Sequence, residues 1–290
     1  MIISASYRTD IPAFYAAWFG QRLAAGFCRV RNPYGGGIYE VSLRPGDVDG
    51  FVLWSRNLRP LLPDLDRVRR VAPFTVQFTI TGYPRPLETS VIVAAEAVDQ
   101  LREVRRRFGP RAAVWRYDPI VFTEGLDAAA HRAGFAALAR ALNGTVDEVV
   151  LSVMHPYRKS RRNLDRAGRR YGFAWRDPPA EEKCRLLLDL ATIAREEGMA
   201  PTLCSQPGLL GPGLGEARCI DATRLSDVAQ RPVPARESGN RPGCRCALSR
   251  DIGAYDTCPH GCVYCYAVAD RDRAVANFRD HDPAAALLRG

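Results

Sequence analysis

Thr75-Val-Gln-Phe-Thr-Ile-Thr81, then Val91-Ile-Val-Ala-Ala-Glu-Ala-Val-Asp-Gln-Leu-Arg-Glu-Val-Arg-Arg-Arg107, then Ala113-Val-Trp-Arg-Tyr117 set a β-rich run, a long helical run and a second β-rich run in succession. Repeated, that alternation builds βα units around a parallel sheet. It extends in both directions. Upstream, Ile2 to Ser6 reads as a strand followed by a helix from Pro12 to Ala25, and Phe51 to Ser55 as a strand followed by a helix near Pro60 to Val71. Downstream, Ala113 to Tyr117 is followed by a helix near Ala128 to Leu142, and Val149 to Met154 by the amphipathic run Ala180 to Glu197. Thr202 to Cys204 is a shorter sixth strand, and Asn32 to Leu43, with Gly35, Gly36 and Gly37 between β-formers, reads as an inserted hairpin. Five or six such units fit a partial or complete barrel or a doubly wound sheet, which periodicity alone does not separate. The expectation is an α/β fold, a partial or complete parallel βα barrel of TIM type over residues 1–204, with a cysteine-rich segment, 205–290, folding over its mouth.

Composition bounds the rest. The chain is 47% hydrophobic and 25% charged over 290 residues, ordinary for a soluble globular protein. No apolar run approaches the length of a membrane span, and the N-terminus lacks the pattern of an export signal, so a cytoplasmic protein without a membrane partner is expected. The net charge of +9 points weakly to nucleic acid, because the basic residues read as spread along the sequence.

Seven of the nine cysteines lie after residue 203. Without an export signal, clustered cysteines point to metal or redox chemistry rather than disulfides. Cys258-Pro-His-Gly-Cys262-Val-Tyr-Cys265-Tyr offers three thiolates to one [4Fe–4S] cube and leaves the fourth iron free for an exchangeable ligand. Cys204, Cys219, Cys244 and Cys246 form a second set, suited to an auxiliary [4Fe–4S] cluster or to structural zinc. Cys28 and Cys184 read as core. His260 reads as a loop residue within the motif, Arg105 to Arg107 as the solvated end of a helix, and residues 206–244 as irregular.

The Cys258–Cys265 motif, with Tyr264 before its last cysteine, resembles the signature of the radical S-adenosylmethionine superfamily. The chain also looks like a member of an uncharacterised domain family that carries this motif at its C-terminus. The segments Ser4 to Phe14, Phe51 to Leu58, Gln77 to Tyr83, Trp115 to Ile120 and Cys244 to Tyr266 carry that likeness. More distantly, Phe51 to Asp66 is similar to a strand-and-turn region of spore-photoproduct-lyase-like proteins. The resemblance implies that S-adenosylmethionine binds the open iron, that a flavodoxin or ferredoxin supplies an electron, and that a 5′-deoxyadenosyl radical attacks a small-molecule or peptide substrate.

Polar residues at the expected carboxyl ends of strands are the candidate cofactor contacts: Ser4, Arg8, Trp54, Ser55, Asn57, Gln77, Thr79, Arg116, Asp118 and Ser152. Arg8 and Arg116 suit a carboxylate, and Asp118 a ribose hydroxyl or one of these arginines. Two other classes remain open. One is a nucleic-acid repair or modification enzyme with Trp54, Tyr83 and Tyr117 as stacking groups; the other is a non-catalytic protein stapled by zinc.

Overall fold

The strand-forming runs are apolar on both sides because both faces of the sheet they build are covered. In the computed structural model, which describes residues 1–289, eight strands pair in parallel. They are β1 (Ile2–Ala5), β2 (Gly50–Ser55), β3 (Phe74–Thr79), β4 (Ala113–Ile120), β5 (Glu148–Val153), β6 (Ala200–Leu203), β7 (Gly215–Glu216) and β8 (Ser249–Asp251). Their spatial order is β7-β6-β5-β4-β3-β2-β1-β8. From β1 to β7 neighbours in sequence are neighbours in space, which rules out the strand-order reversal of a doubly wound sheet. The complete barrel is not formed either: β7 and β8 are the two ends of the sheet and do not pair.

Side-chain alternation divides the sheet cleanly. Ile3, Ala5, Phe51, Leu53, Val76, Trp115 and Leu151 face one apolar core shared with helices Ala16–Ala25, Leu65–Val71, Ala94–Phe108, Ala128–Leu142 and Ala180–Glu196. Trp115 stacks on Phe135 at 4.7 Å within it. The opposite face carries Ile2, Val52, Val114 and Val150, covered by Ala217, Ile220, Leu225, Val233 and Ala247 from the C-terminal third. Leu225 comes from a helix, Ala222–Ala229, inside the stretch expected to be irregular. It sits where a Cβ on Gly50 would clash, 2.8 Å from its methyl carbon, so the glycine opens the space that the plug fills.

The C-terminal segment is therefore part of the sheet and of its cover. β8 pairs with β1 through Ile2–Ser249, Ile3–Arg250 and Ser4–Asp251, and β7 pairs with β6. The expected helix from Pro12 divides into Ile11–Phe14 and Ala16–Ala25, and Tyr15 at the break donates its hydroxyl hydrogen to the Thr257 carbonyl at 2.6 Å. The hairpin forms from Phe27–Arg31 and Ile38–Ser42. Among the described residues no helix is long and apolar enough to cross a membrane.

The segment after β8 approaches the turn after β1 so closely that a Cβ on Gly253 would lie 2.0 Å from Ser6 Oγ. Gly253→Ala is expected to lower stability by about 1–3 kcal/mol through overpacking, measured by urea unfolding; an unchanged midpoint would contradict this packing.

Candidate functional site

Two buried carboxylates that the sequence reading passed over organise the carboxyl ends of the first strands. Asp10 accepts hydrogen bonds from Ala13 N (2.9 Å), Ser55 Oγ (2.8 Å) and Arg56 N (2.7 Å), and His260 Nε2 lies 2.8 Å from its second oxygen. One side chain thus ties the turn after β1, the end of β2 and the cysteine motif. Asp251 accepts from Ser4 Oγ and Ser6 Oγ, both at 2.7 Å, and from Tyr7 N and Gly253 N, both at 3.0 Å. Burial raises its pKa, against the pull of Arg8 and the two serine hydroxyls. The sequence signal for Asp10 was available: Asp-Ile-Pro is a helix cap followed by proline in the first turn. Asp251 gave none, being one acid in an irregular stretch.

A third network holds Tyr264. Arg56 donates to Glu88 Oε1 at 2.8 Å and to the Tyr264 hydroxyl at 2.6 Å, Thr81 donates to Glu88 at 2.5 Å, and Tyr264 donates to the same carboxylate. A cavity of about 180 Å³ lined by Arg56, Thr79, Thr81, Tyr83 and Glu88 opens beside it. The aromatic residue of the motif is thereby fixed from the opposite side of the loop to the thiols' neighbour Tyr266, whose hydroxyl donates to the Tyr7 carbonyl at 2.5 Å.

Cys258, Cys262 and Cys265 lie half-buried on this loop, and Gly261 turns it with φ +75°, in the region glycine occupies without strain. Burial raises all three thiols, Cys262 up to about 12, and the Cys258 thiol also feels Asp10 and the other two sulfurs. Ala267 N donates to Cys265 Sγ at 3.3 Å. Among the described residues no three or more His, Cys, Asp or Glu side chains close on a single metal position. Ligands to a cube need not do so, since each takes its own iron. His260 has acceptors at both ring nitrogens, Asp10 and the Ser90 carbonyl at 3.4 Å, and is committed to the scaffold rather than to a metal. The donor set therefore fits a cube with one open iron. In the turn after β1, Arg8 Nε and Thr9 Oγ1 are buried without hydrogen-bond partners. The Arg8 guanidinium lies 5.4 Å from the Tyr7 ring centre and 5.5 Å from that of Tyr255, with Asp251 3.7 Å away. A buried donor without a hydrogen bond is costly, and Asp251 is near enough to pair its charge but too far to accept the hydrogen bond.

The remaining candidates divide. Ser4, Trp54, Gln77, Thr79, Arg116 and Ser152 share the face of the sheet turned toward the cysteine-rich segment, as the strand registers require. There Trp54 Nε1 donates to Ser4 Oγ at 3.1 Å and Arg116 donates to Gln77 at 3.0 Å. Arg116 also pairs with Asp118, which accepts from Ser152 as well. Burial would raise the Asp118 carboxyl, but Arg116 and the Ser152 hydroxyl hold it below the usual carboxylate range. Ser55 and Asn57 are turned to scaffold work: Ser55 bonds Asp10, and Asn57 accepts from Gln100 Nε2 at 3.1 Å.

Arg116 also donates to Cys219 Sγ at 2.9 Å, which joins this polar layer to the second cysteine set. Cys204 and Cys219 lie 3.5 Å apart, Arg241 donates to Cys204 at 3.5 Å, and Ile220 N donates to Cys246 at 3.4 Å. Cys244, next to Cys246, has its thiol lowered to about 6, chiefly by its hydrogen bond with Cys246. The three sulfurs that receive these N–H donors are nevertheless raised by hydrogen bonds with a neighbouring thiol together with burial, Cys219 to about 12 and Cys246 to about 11. Cys28 is buried in the main core, as expected, whereas Cys184 is half-buried.

Asp10→Ala is expected to destabilise the chain by about 3 kcal/mol or more, because it strands several buried donors at once. Urea unfolding measures it, and a loss below about 1 kcal/mol would remove Asp10 from its organising role.

No curated protein matches the chain. Residues 2–267 match the profile of DUF1848, described as a domain of unknown function, and the chain belongs to that family.

Proposed function

We propose that this protein is a radical S-adenosylmethionine enzyme in which Cys258, Cys262 and Cys265 hold a [4Fe–4S] cluster. The observation that carries the reading is a three-thiol loop whose histidine is already committed to Asp10, two residues along the chain from the buried Arg8, whose Nε has no hydrogen-bond partner and meets only Asp251 at 3.7 Å. When bound and reduced, such a cluster supplies the electron that cleaves S-adenosylmethionine to methionine and a 5′-deoxyadenosyl radical. The chain's own residues do the rest. Arg8 binds the methionyl carboxylate. Asp10 and Asp251 fix the backbone on which Arg8 and the motif stand, and the Arg56–Glu88–Tyr264 network holds the loop against the end of the sheet. The open sheet, with β8 beside β1, serves as a partial barrel of TIM type whose inner face carries Trp54, Gln77, Arg116 and Asp118 toward substrate. Cys204, Cys219, Cys244 and Cys246 hold a second [4Fe–4S] cluster. Their Cys-x-Cys pair, Cys244 and Cys246, departs from the C-x2-C knuckle usual for zinc ribbons. A flavodoxin- or ferredoxin-type protein delivers the electron, and the enzyme works in the cytoplasm.

Anaerobic protein reconstituted with iron and sulfide is expected to bind about eight irons per chain and to form 5′-deoxyadenosine on reduction with S-adenosylmethionine. Cys262→Ala should abolish deoxyadenosine and leave about four irons. Arg8→Ala should raise the KM for S-adenosylmethionine at least tenfold with a smaller change in kcat. Stoichiometric zinc without iron, and no deoxyadenosine, would overturn the reading.

A further inference from the structure

The helix Arg158–Tyr171 runs Arg-Lys-Ser-Arg-Arg-Asn-Leu-Asp-Arg-Ala-Gly-Arg-Arg-Tyr: seven cations against one acid in 14 residues. Six of the chain's nine net positive charges therefore sit on this one helix, which is a patch and not the diffuse spread that the sequence suggested. The arrangement costs stability. Arg158, Arg162 and Arg166 repeat at four-residue steps and repel one another, and Arg158 and Lys159 lie in a first turn that has no acid to meet the positive end of the helix dipole. Among the described residues, Arg166 alone of the seven has a carboxylate partner, Asp270 at 3.6 Å. A helix with this much like charge and a single carboxylate partner is suited to an external anion.

Its place in the fold narrows that anion. The helix follows β5, so its first turn stands at the carboxyl end of the sheet. Arg162 donates to the Ala269 carbonyl at 2.9 Å and Lys159 Nζ lies 5.4 Å from the Tyr255 ring centre, which sets the basic face against the loop that carries Cys265. An open depression of about 640 Å³ on the helix surface is lined by Arg158, Lys159, Arg161, Arg162 and Arg169, with Asp165 as its one acid. Tyr157, just before the helix, and Tyr266, after the cysteine motif, present their rings to solvent, 40% and 42% exposed and 6.4 Å apart. A row of cations beside exposed aromatic rings is the surface that tracks a phosphate backbone and stacks unpaired bases.

We propose that this helix and the two tyrosines bind a single-stranded nucleic acid and lead it to the cysteine motif. As a statement about substrate this rests on the radical reading; as a statement about binding it stands alone. The test is fluorescence anisotropy of labelled single-stranded DNA and RNA oligonucleotides with the reconstituted full chain. The triple variant Arg158→Ala/Arg162→Ala/Arg169→Ala should weaken binding at least tenfold and lower the slope of log affinity against log salt by about 2, since single strands release roughly 0.7 counterion per phosphate neutralised. The triple variant Arg69→Ala/Arg70→Ala/Arg185→Ala, an equal loss of charge on other helices, should bind within twofold of wild type. Tyr157→Ala should cost at least fivefold for the oligonucleotide and nothing for inorganic polyphosphate, which has charge but no bases. Equal losses in the two triple variants would overturn the proposal. So would a Tyr157→Ala protein that binds as wild type, or a basic face that takes anionic vesicles and polyphosphate as tightly as it takes the oligonucleotide. Binding needs no turnover, so a chain that binds the strand but forms no deoxyadenosine refutes only the radical reading.

Discussion

A parallel sheet has two faces to cover, and the rest of this structure follows from how the second one is covered. The helices that connect β1 through β6 all contribute to one core. The other face begins apolar, with Ile2, Val52, Val114 and Val150, and turns polar toward the carboxyl ends, with Ser4, Trp54, Gln77, Arg116 and Ser152. Only the C-terminal third is left to close it. Leu225 and Ile220 plug the apolar layer, the second cysteine set meets the polar layer at Arg116, and the Cys258 loop crosses the strand ends. The late position of the cysteine motif in the chain therefore does not take it away from the start of the sheet. β8 pairs with β1, and Asp251 at its end bonds Ser4, Ser6 and Tyr7 directly.

The two carboxylates that fasten this closure are also what make a preorganised site. A charged group with its acceptor sites filled by fixed donors holds geometry far better than loop packing does. Asp10 orients Arg56, whose guanidinium holds Tyr264, and it engages His260 inside the motif. Arg8 Nε and Thr9 Oγ1 stand out in this layer as buried polar atoms without a hydrogen bond, Arg8 meeting only Asp251 at 3.7 Å.

The strands and long helices were legible in the sequence because each has a full period of its own. Ala128–Leu142 and the run from Ala180 begin where patterning sets them, and β2 through β5 fall within two or three residues of expectation. Elements that borrow their stability from tertiary contact were not legible. β7 and β8 are two and three residues long, and helix Ala222–Ala229 buries little beyond Arg224 and Leu225. Arg158–Tyr171 buries only Ser160, Leu164 and Ala167, too narrow a stripe to read as an amphipathic helix. For the candidate site, cysteine spacing and strand-end position singled out the thiols and the Trp54–Arg116–Ser152 face, which the structure places on the side of the sheet turned toward the C-terminal segment. They did not find Asp10, Glu88 or Asp251, whose roles depend on partners up to about two hundred and fifty residues away in sequence. Ser55 and Asn57 were placed at the right strand end but bond the scaffold, because one residue's shift along a strand turns a side chain to the other face.

The central claim is that the Cys258 loop presents a cluster with one iron open to S-adenosylmethionine. Electron paramagnetic resonance of the reduced, reconstituted protein tests it most directly, recorded on a Cys204→Ala/Cys219→Ala variant so that the second set contributes no signal. The account predicts the spectrum of a single reduced [4Fe–4S] cluster whose g-values shift when S-adenosylmethionine is added. A cluster signal that stays the same with and without S-adenosylmethionine, or a protein that takes up zinc and shows no signal at all, would contradict it.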